Sequence, residues 1–150
     1  MKFRLLLPFV FAVLPTTLPA AEIFVSRTGS DTAGNGSEAA PFRTLTHVLA
    51  PGNGIVHAGD TVTVRGTSGN NLYEECEVRL RVRLTLRSPP GERAHIRCAI
   101  PPGFDPDEDE NTVGVQIDPG ALGSRLSNLE ISGSTLYAVF LQTDWEQGTN

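Results

Sequence analysis

Four closely spaced arginines could bind a polyanion: Arg79, Arg81, Arg83 and Arg87. They share one parity within the segment EVRLRVRLTLRS (77–88), and valine and leucine hold the other parity. In an extended strand this alternation directs the arginines to solvent and the aliphatic side chains inward. Guanidinium groups pair bidentately with carboxylates, so the row could dock uronate or sulfated sugars. The alternative is a solvated face whose charges keep the sheet from pairing with other sheets.

A second candidate is acidic and could bind Ca²⁺ through Asp105, Asp107 and Asp109. A helix-loop-helix calcium loop requires glycine at its sixth position and glutamate at its twelfth. Glu110 and Gln116 stand at those positions, and the flanking residues are not helical in pattern. Two interpretations remain, a looser Ca²⁺ site and an acidic loop without a metal.

The three histidines offer no catalytic arrangement at the level of spacing. His47, His57 and His95 are scattered through a predicted helix, a loop and a strand, and no serine–histidine–aspartate or cysteine–histidine arrangement can be proposed. We therefore assign no catalytic residue from the sequence.

The N-terminal residues 1–20 have the pattern of a secretory signal peptide. Lys2 and Arg4 precede an apolar run of about ten residues, and the small residues Ala20 and Ala21 follow it. The run is shorter than the roughly 20 residues of a membrane-spanning helix. We expect cleavage after Ala20 or Ala21 and a secreted or periplasmic protein. The alternative is a retained N-terminal anchor.

The remaining residues, 21–150, suffice for one domain. Removing Lys2 and Arg4 takes the net charge from −5 to −7, and leaves ten basic residues, all of them arginine. Such an acidic chain has no general affinity for nucleic acid. No later stretch is apolar enough to span a membrane, and we expect a monomer.

Export permits a disulfide between Cys76 and Cys98, which lie 22 residues apart. No ligand pair accompanies them at zinc-site spacing. Cys76 shares parity with the inward aliphatic residues, so it is predicted to be buried. A bridge would close a loop of about 20 residues and stabilise the protein by roughly 3 kcal/mol. Two separate buried thiols are the alternative.

Alternating apolar residues predict an all-β fold with one short helix. The helix is expected from Phe42 to about Ala50, with a proline at its start and Pro51-Gly52 at its end. The predicted strands are Glu22–Ser26, Thr61–Arg65, Glu77–Ser88, Ala94–Ile100, Val113–Ile117, Leu126–Ser132 and Tyr137–Gln142.

Two strand pairs recur at similar spacing. Thr61 precedes Leu84 by 23 residues, and Val113 precedes Tyr137 by 24. This period, with three short strands in each repeat, fits one coil of a parallel β-helix, a solenoid in which each coil contacts only its neighbours. A β-sandwich, whose strands also recur regularly, is the alternative.

The segment IFVSRTGSDTAGNGSEAAPFRTL (23–45) resembles the opening of secreted right-handed parallel β-helix proteins of the pectate-lyase-like superfamily. The segments HAGDTVTVRGTSGNNLYEE (57–75), RLTLRSPPGERAHIRC (83–98) and SRLSNLEISGS (124–134) resemble that superfamily's later coils. The opening pattern is fairly specific, and the coil patterns are generic to β-helices. The likeness covers nearly all of residues 21–150.

The resemblance implies a right-handed parallel β-helix with a short N-terminal capping helix. Phe42 and Leu45 would cover the apolar top of the first coil. It also implies a carbohydrate-active protein, nearest to polysaccharide lyases that act on acidic glycans, often with Ca²⁺. A non-catalytic β-helix that binds glycan or acts as a stalk is the alternative.

The sequence departs from the superfamily pattern in three places. The link between helix and first coil (50–62) is longer than usual, a small loop is inserted at GTSGNNLY (66–73), and residues 101–112 form an insertion between coils. The lyases carry their catalytic groups several coils further on, and no terminal cap is visible before Asn150. We therefore expect the N-terminal piece of a longer protein, with any catalytic residues beyond it.

Overall fold

The computed structural model describes residues 19–99, 103, 105 and 112–143. These residues form mostly short strands in parallel sheets, with one α-helix and one 3-10 turn. The all-β character predicted from alternation is therefore confirmed. The predicted signal peptide falls almost wholly outside the described residues and stays a prediction.

The strands form three sheets, and every pairing is parallel. The first sheet has the order β1-β2-β5-β8, the second β3-β6-β9 and the third β4-β7-β10. From β2 onward the chain visits the three sheets in the same order three times. The bounds are β1 Glu22–Val25, β2 Thr61–Val64, β3 Leu72–Tyr73, β4 Val78–Leu80, β5 Thr85–Arg87, β6 Ala94–Arg97, β7 Val113–Ile117, β8 Arg125–Ser127, β9 Leu129–Ser132 and β10 Tyr137–Leu141.

The register aligns apolar residues of successive strands into rows. Ile23 pairs with Val62, which pairs with Leu86 on the next strand, and all three lie in one hydrophobic core. Tyr137 pairs with Val113, as the 24-residue spacing predicted. Thr61 pairs with Thr85 rather than with Leu84, so that spacing is also 24 residues and not 23.

Two predicted strands are each divided in the structure. The segment 77–88 forms β4 and β5, which belong to different sheets, and the chain turns between them at residues 81–84. The segment 126–132 is divided between β8 and β9 by Asn128, which has a φ of 56°. The Asn128 amide donates hydrogen bonds to the carbonyls of Ser88, Pro89 and Glu92. A residue with a short polar side chain tolerates this left-handed backbone, which explains the corner.

The helix α1 spans only Leu45–Val48, which is shorter than the predicted 42–50. Thr44 caps its N-terminus by accepting a hydrogen bond from the His47 N–H. The Glu75 carboxylate accepts bonds from the N–H groups of Leu45 and Thr46. Phe42 lies outside the helix because its backbone pairs with Val25 of β1. Phe42 and Leu45 are both buried in the core, and their capping role stays a prediction.

The glycine-rich segment before Phe42 runs alongside β1. The Phe24 N–H donates to the Gly36 carbonyl, and the Phe42 N–H donates to the Phe24 carbonyl. Asp31 accepts bonds from the Arg43 N–H and from the N–H and hydroxyl of Thr44. Partial burial acts to raise the pKa of Asp31, but these hydrogen bonds outweigh burial and lower it. The segment is thus bound to both its strand and its helix.

A disulfide joins Cys76 to Cys98. Cys98 is buried, but Cys76 is exposed, so its predicted burial is wrong. The burial of Cys76 was predicted from its alternation with the residues of β4. Cys76 lies before β4, however, in the turn that contains Glu77, whose φ is 51°. The alternation of β4 does not extend through such a turn.

Candidate polyanion-binding surface

The predicted row of four arginines is divided between two parts of the molecule. Arg79 lies on β4 and Arg87 on β5, and Arg81 and Arg83 lie in the turn between them. The inward assignment is confirmed for Val78, Leu80, Leu84 and Leu86, which are buried, while Val82 is partly buried against the core. A single continuous stripe is nevertheless wrong, since β4 and β5 belong to different sheets.

Arg79 and Arg81 are bound to neighbouring parts of the chain. Arg79 Nε lies 2.9 Å from each carboxylate oxygen of Asp118, and its Nη2 donates to Gln142 at 3.4 Å. Arg81 Nη1 donates to the Leu49 carbonyl at 3.0 Å. Both border a cleft of about 210 Å³ beneath the loop that follows α1. Arg81 links the loop after α1 to the segment that follows β4. Arg79 links β4 to Asp118, which directly precedes the 3-10 turn Pro119–Ala121.

Arg87 takes part in a different arrangement, on the outer face of β5 and β8. A groove of about 560 Å³ lies there, lined by Thr85, Arg87, Ser124, Arg125, Leu126 and Ser127. Thr85 pairs with Arg125 and Arg87 pairs with Ser127, so the two arginines are diagonal neighbours across the ladder. Sequence reasoning missed Arg125 because the predicted strand began at Leu126. Its parity with Ser127 was the signal that could have found it.

Arg83 lies close to this groove but is not one of its lining residues. Its Cδ is 3.3 Å from the point where a Cβ on Gly123 would lie, and Gly123 directly precedes the groove residue Ser124. Gly123 has a φ of 85°, which favours glycine, and the missing side chain leaves room for the arginine stem. We call the groove residues Thr85, Arg87, Arg125 and Ser127, together with the adjacent Arg83, the β5–β8 basic groove.

Among the described residues, the carboxylate of Glu22 contacts this groove. Glu22 of β1 lies 2.8 Å from Arg87 Nη2 and accepts a bond from the Thr63 hydroxyl at 2.6 Å. The Thr63 bond, followed by the bond from Arg87, lowers the pKa of Glu22, so Glu22 is ionised at neutral pH and offsets the Arg87 charge. In the part of the chain that the structure describes, the side chains of Arg83 and Arg125 form no hydrogen bond or ion pair. Counting only the described residues, Arg125 in the groove and the adjacent Arg83 thus have no carboxylate partner, in a protein that is acidic overall.

Among the described residues, no three histidine, cysteine, aspartate or glutamate side chains converge on a metal-binding point. Of the predicted acidic site, Asp105 is exposed, while Asp107 and Asp109 lie outside the described residues. The Ca²⁺ site is therefore still only a prediction. In the same described ranges, no helix is long and apolar enough to cross a membrane.

His95 lies close to a hydroxyl and a carboxylate that its spacing in the sequence did not suggest. His95 Nε2 lies 2.7 Å from the Ser132 hydroxyl, on neighbouring strands β6 and β9. Glu130 Oε1 lies 3.8 Å from the same ring nitrogen. A catalytic triad needs the acid on the other ring nitrogen, so this cluster lacks that geometry.

No protein-family model, curated protein or solved structure matches this chain. The superfamily resemblance therefore rests on the sequence segments that carry it.

Proposed function

We propose that this chain is an exported right-handed parallel β-helix that binds acidic polysaccharide. The fold proposal is supported by the threefold passage of the chain through three parallel sheets in one order. It is also supported by the 24-residue offsets of two strand pairings, β2 with β5 and β7 with β10. In a β-helix these offsets are the lengths of single coils, and the wall of stacked coils forms an extended surface suited to a polymer.

The β5–β8 basic groove carries the binding proposal. Within the described ranges, the side chains of Arg83 and Arg125 have no hydrogen-bond or ion-pair partner, and Arg125 lies beside the Thr85 and Ser127 hydroxyls. Guanidinium binds carboxylate or sulfate bidentately, and hydroxyls exchange hydrogen bonds with sugar. Repeating acidic sugars would therefore be the ligand class, bound in an outer groove rather than in a closed pocket.

The resemblance also implies lyase chemistry, which needs a cation at the uronate carboxylate and a base nearby. The described residues supply arginines but no assembled cluster of metal ligands. Binding is thus the function that the arrangement supports best, and lyase activity stays a prediction. Incubation with polyuronate, followed by ultraviolet absorbance of unsaturated products, tests the reaction separately from binding.

The binding test is retention of the protein on immobilised polygalacturonate at low salt. The double variant Arg83→Gln with Arg125→Gln should elute earlier than wild type, because two positive charges are lost from the groove. Added salt should reduce wild-type retention, since exposed charge pairs are screened.

The matched control also replaces two arginines by glutamine, but at positions outside the groove. Arg43 and Arg93 are exposed and lie outside the groove, so Arg43→Gln with Arg93→Gln should leave retention close to wild type. Equal loss in both double variants would show a nonspecific charge effect, and no loss in either would overturn the proposed site.

A further inference from the structure

Ala21, the residue before β1, contacts a buried carboxylate. Its backbone N–H donates to Asp60 Oδ1 at 2.7 Å, and its carbonyl accepts a bond from the Thr61 N–H at 2.8 Å. Asp60 is only 3% exposed, and its other oxygen accepts a bond from the His57 N–H at 2.7 Å. The carboxylate is thus buried against two backbone donors, both neutral while Ala21 is joined to Ala20.

A buried carboxylate is costly unless a cation or strong hydrogen bonds compensate it. The cation candidate is His57, whose Nδ1 lies 3.8 Å from Asp60 Oδ2 and whose side chain is mostly exposed. Among the described residues, no arginine forms an ion pair with Asp60. Within the described ranges, Asp60 therefore has no arginine partner while Ala21 is an internal residue.

We propose that the chain is cut between Ala20 and Ala21 and that the new α-ammonium group of Ala21 binds Asp60. The proposal rests on the predicted export signal and is independent of glycan binding. A signal peptidase would add water across this amide bond. The hydroxyl of water joins the Ala20 carbonyl carbon, and the resulting acid gives a carboxylate. Two protons, one from water and one from that acid, convert the Ala21 amide nitrogen to an ammonium group.

The geometry selects between the two cleavage sites that the sequence leaves open. Cleavage after Ala20 converts a neutral donor, already 2.7 Å from Asp60, into a charged one. Cleavage after Ala21 would remove both the nitrogen that contacts Asp60 and the carbonyl that binds Thr61. The first site keeps the start of the β1–β2 ladder, and the second site loses it.

The first experiment expresses the full chain with its own leader in an exporting host and measures the intact mass of the purified protein. The expected product begins at Ala21. A product that begins at Glu22, or one that retains the leader, would overturn the proposal.

The second experiment exploits the absence of lysine after Lys2. An amine-selective acetylating reagent can then modify only the α-amino group of the processed chain. Acetylation should lower the Tm of the protein that begins at Ala21 by a few degrees, because the charged contact with Asp60 is lost.

A protein that begins at Ala20 is the control. Its free amino group belongs to Ala20, and the Ala21 nitrogen that contacts Asp60 remains a neutral amide. Acetylation should leave its Tm unchanged. No shift in the Ala21 protein, or an equal shift in both proteins, would refute an ion pair with Asp60. Neither comparison needs a core substitution, so both proteins are expected to fold.

Discussion

Several acidic residues of this protein support the backbone instead of facing solvent alone. Asp31 and Glu75 bind N–H groups around α1, and Glu92 binds the Gly66 N–H at 2.8 Å. Each carboxylate accepts hydrogen bonds from donors distant in sequence, so each links two separate segments of the chain. A net negative charge therefore coexists with carboxylates that have specific structural roles.

Glu92 makes the strongest test at the residue scale. Its carboxylate binds Arg65 through Nε and Nη2 at 3.0 and 2.7 Å, and its side chain is 16% exposed. Glu92→Gln should lower the free energy of unfolding at neutral pH by about 1–2 kcal/mol, because charged hydrogen bonds to a partly buried arginine are lost. Urea denaturation measures this change.

The same pair predicts a pH dependence. Hydrogen bonds from Arg65 lower the pKa of Glu92 below its ordinary value of 4.5. The contribution is therefore complete above pH 4.5 and is lost as pH falls through the lowered pKa of the folded state. The difference between wild type and Glu92→Gln should shrink in acid. Glu38→Gln is the control, since Glu38 also contacts Arg65 but is 70% exposed, and it should change stability little.

At the scale of elements, α1 depends on its surroundings. A four-residue helix has no independent stability, and this one relies on the caps from Thr44 and Glu75 and on the burial of Leu45 and Val48. Pairing of Phe42 with Val25 fixes the approach of the chain to the helix. The proposed cap is therefore a strand extension and a helical turn acting together.

Replacing its core residues tests that cap. Leu45→Ser and Phe42→Ser should each lower the Tm by several degrees, because buried apolar side chains are lost at a cost of about 2–5 kcal/mol. Thermal unfolding followed by circular dichroism measures the change. Leu136→Ser should have little effect, since Leu136 is 50% exposed. A similar small effect for all three would contradict the role of Phe42 and Leu45.

At the scale of the whole molecule, the disulfide links successive passes through the three sheets. Cys76 lies between β3 and β4, and Cys98 follows β6, so the bridge connects equivalent turns of neighbouring passes. The bridge closes a loop between two cysteines that are 22 residues apart in sequence. The link restrains the chain where only two residues of β3 pair with β6.

Removing this bridge should destabilise the protein by roughly 3 kcal/mol, because the unfolded chain gains conformational freedom. Cys76→Ser with Cys98→Ser, compared with wild type by urea denaturation, measures the effect. Wild type should show no free thiol after denaturation without reductant. Two thiols under those conditions would exclude the bridge in the folded protein.

The local sequence pattern predicted most of the strands and, within them, the side chains that face inward, because the two-residue period of a strand is a local property. Val113–Ile117 and the inward row Val78, Leu80, Leu84 and Leu86 were predictable for this reason. The pattern missed β3 (Leu72–Tyr73), which is too short to show that period. The corners between sheets were not predictable, since parity continues through the turn between β4 and β5.

Contacts between residues distant in sequence became known from the three-dimensional structure. Arg125 lies diagonally across the ladder from Arg87 because the parallel register places residues about 40 positions apart on adjacent strands. Asp60 meets Ala21 because β2 pairs with β1, although 39 residues separate them. Such contacts depend on the length and path of the connecting segments, and local alternation carries no information about either.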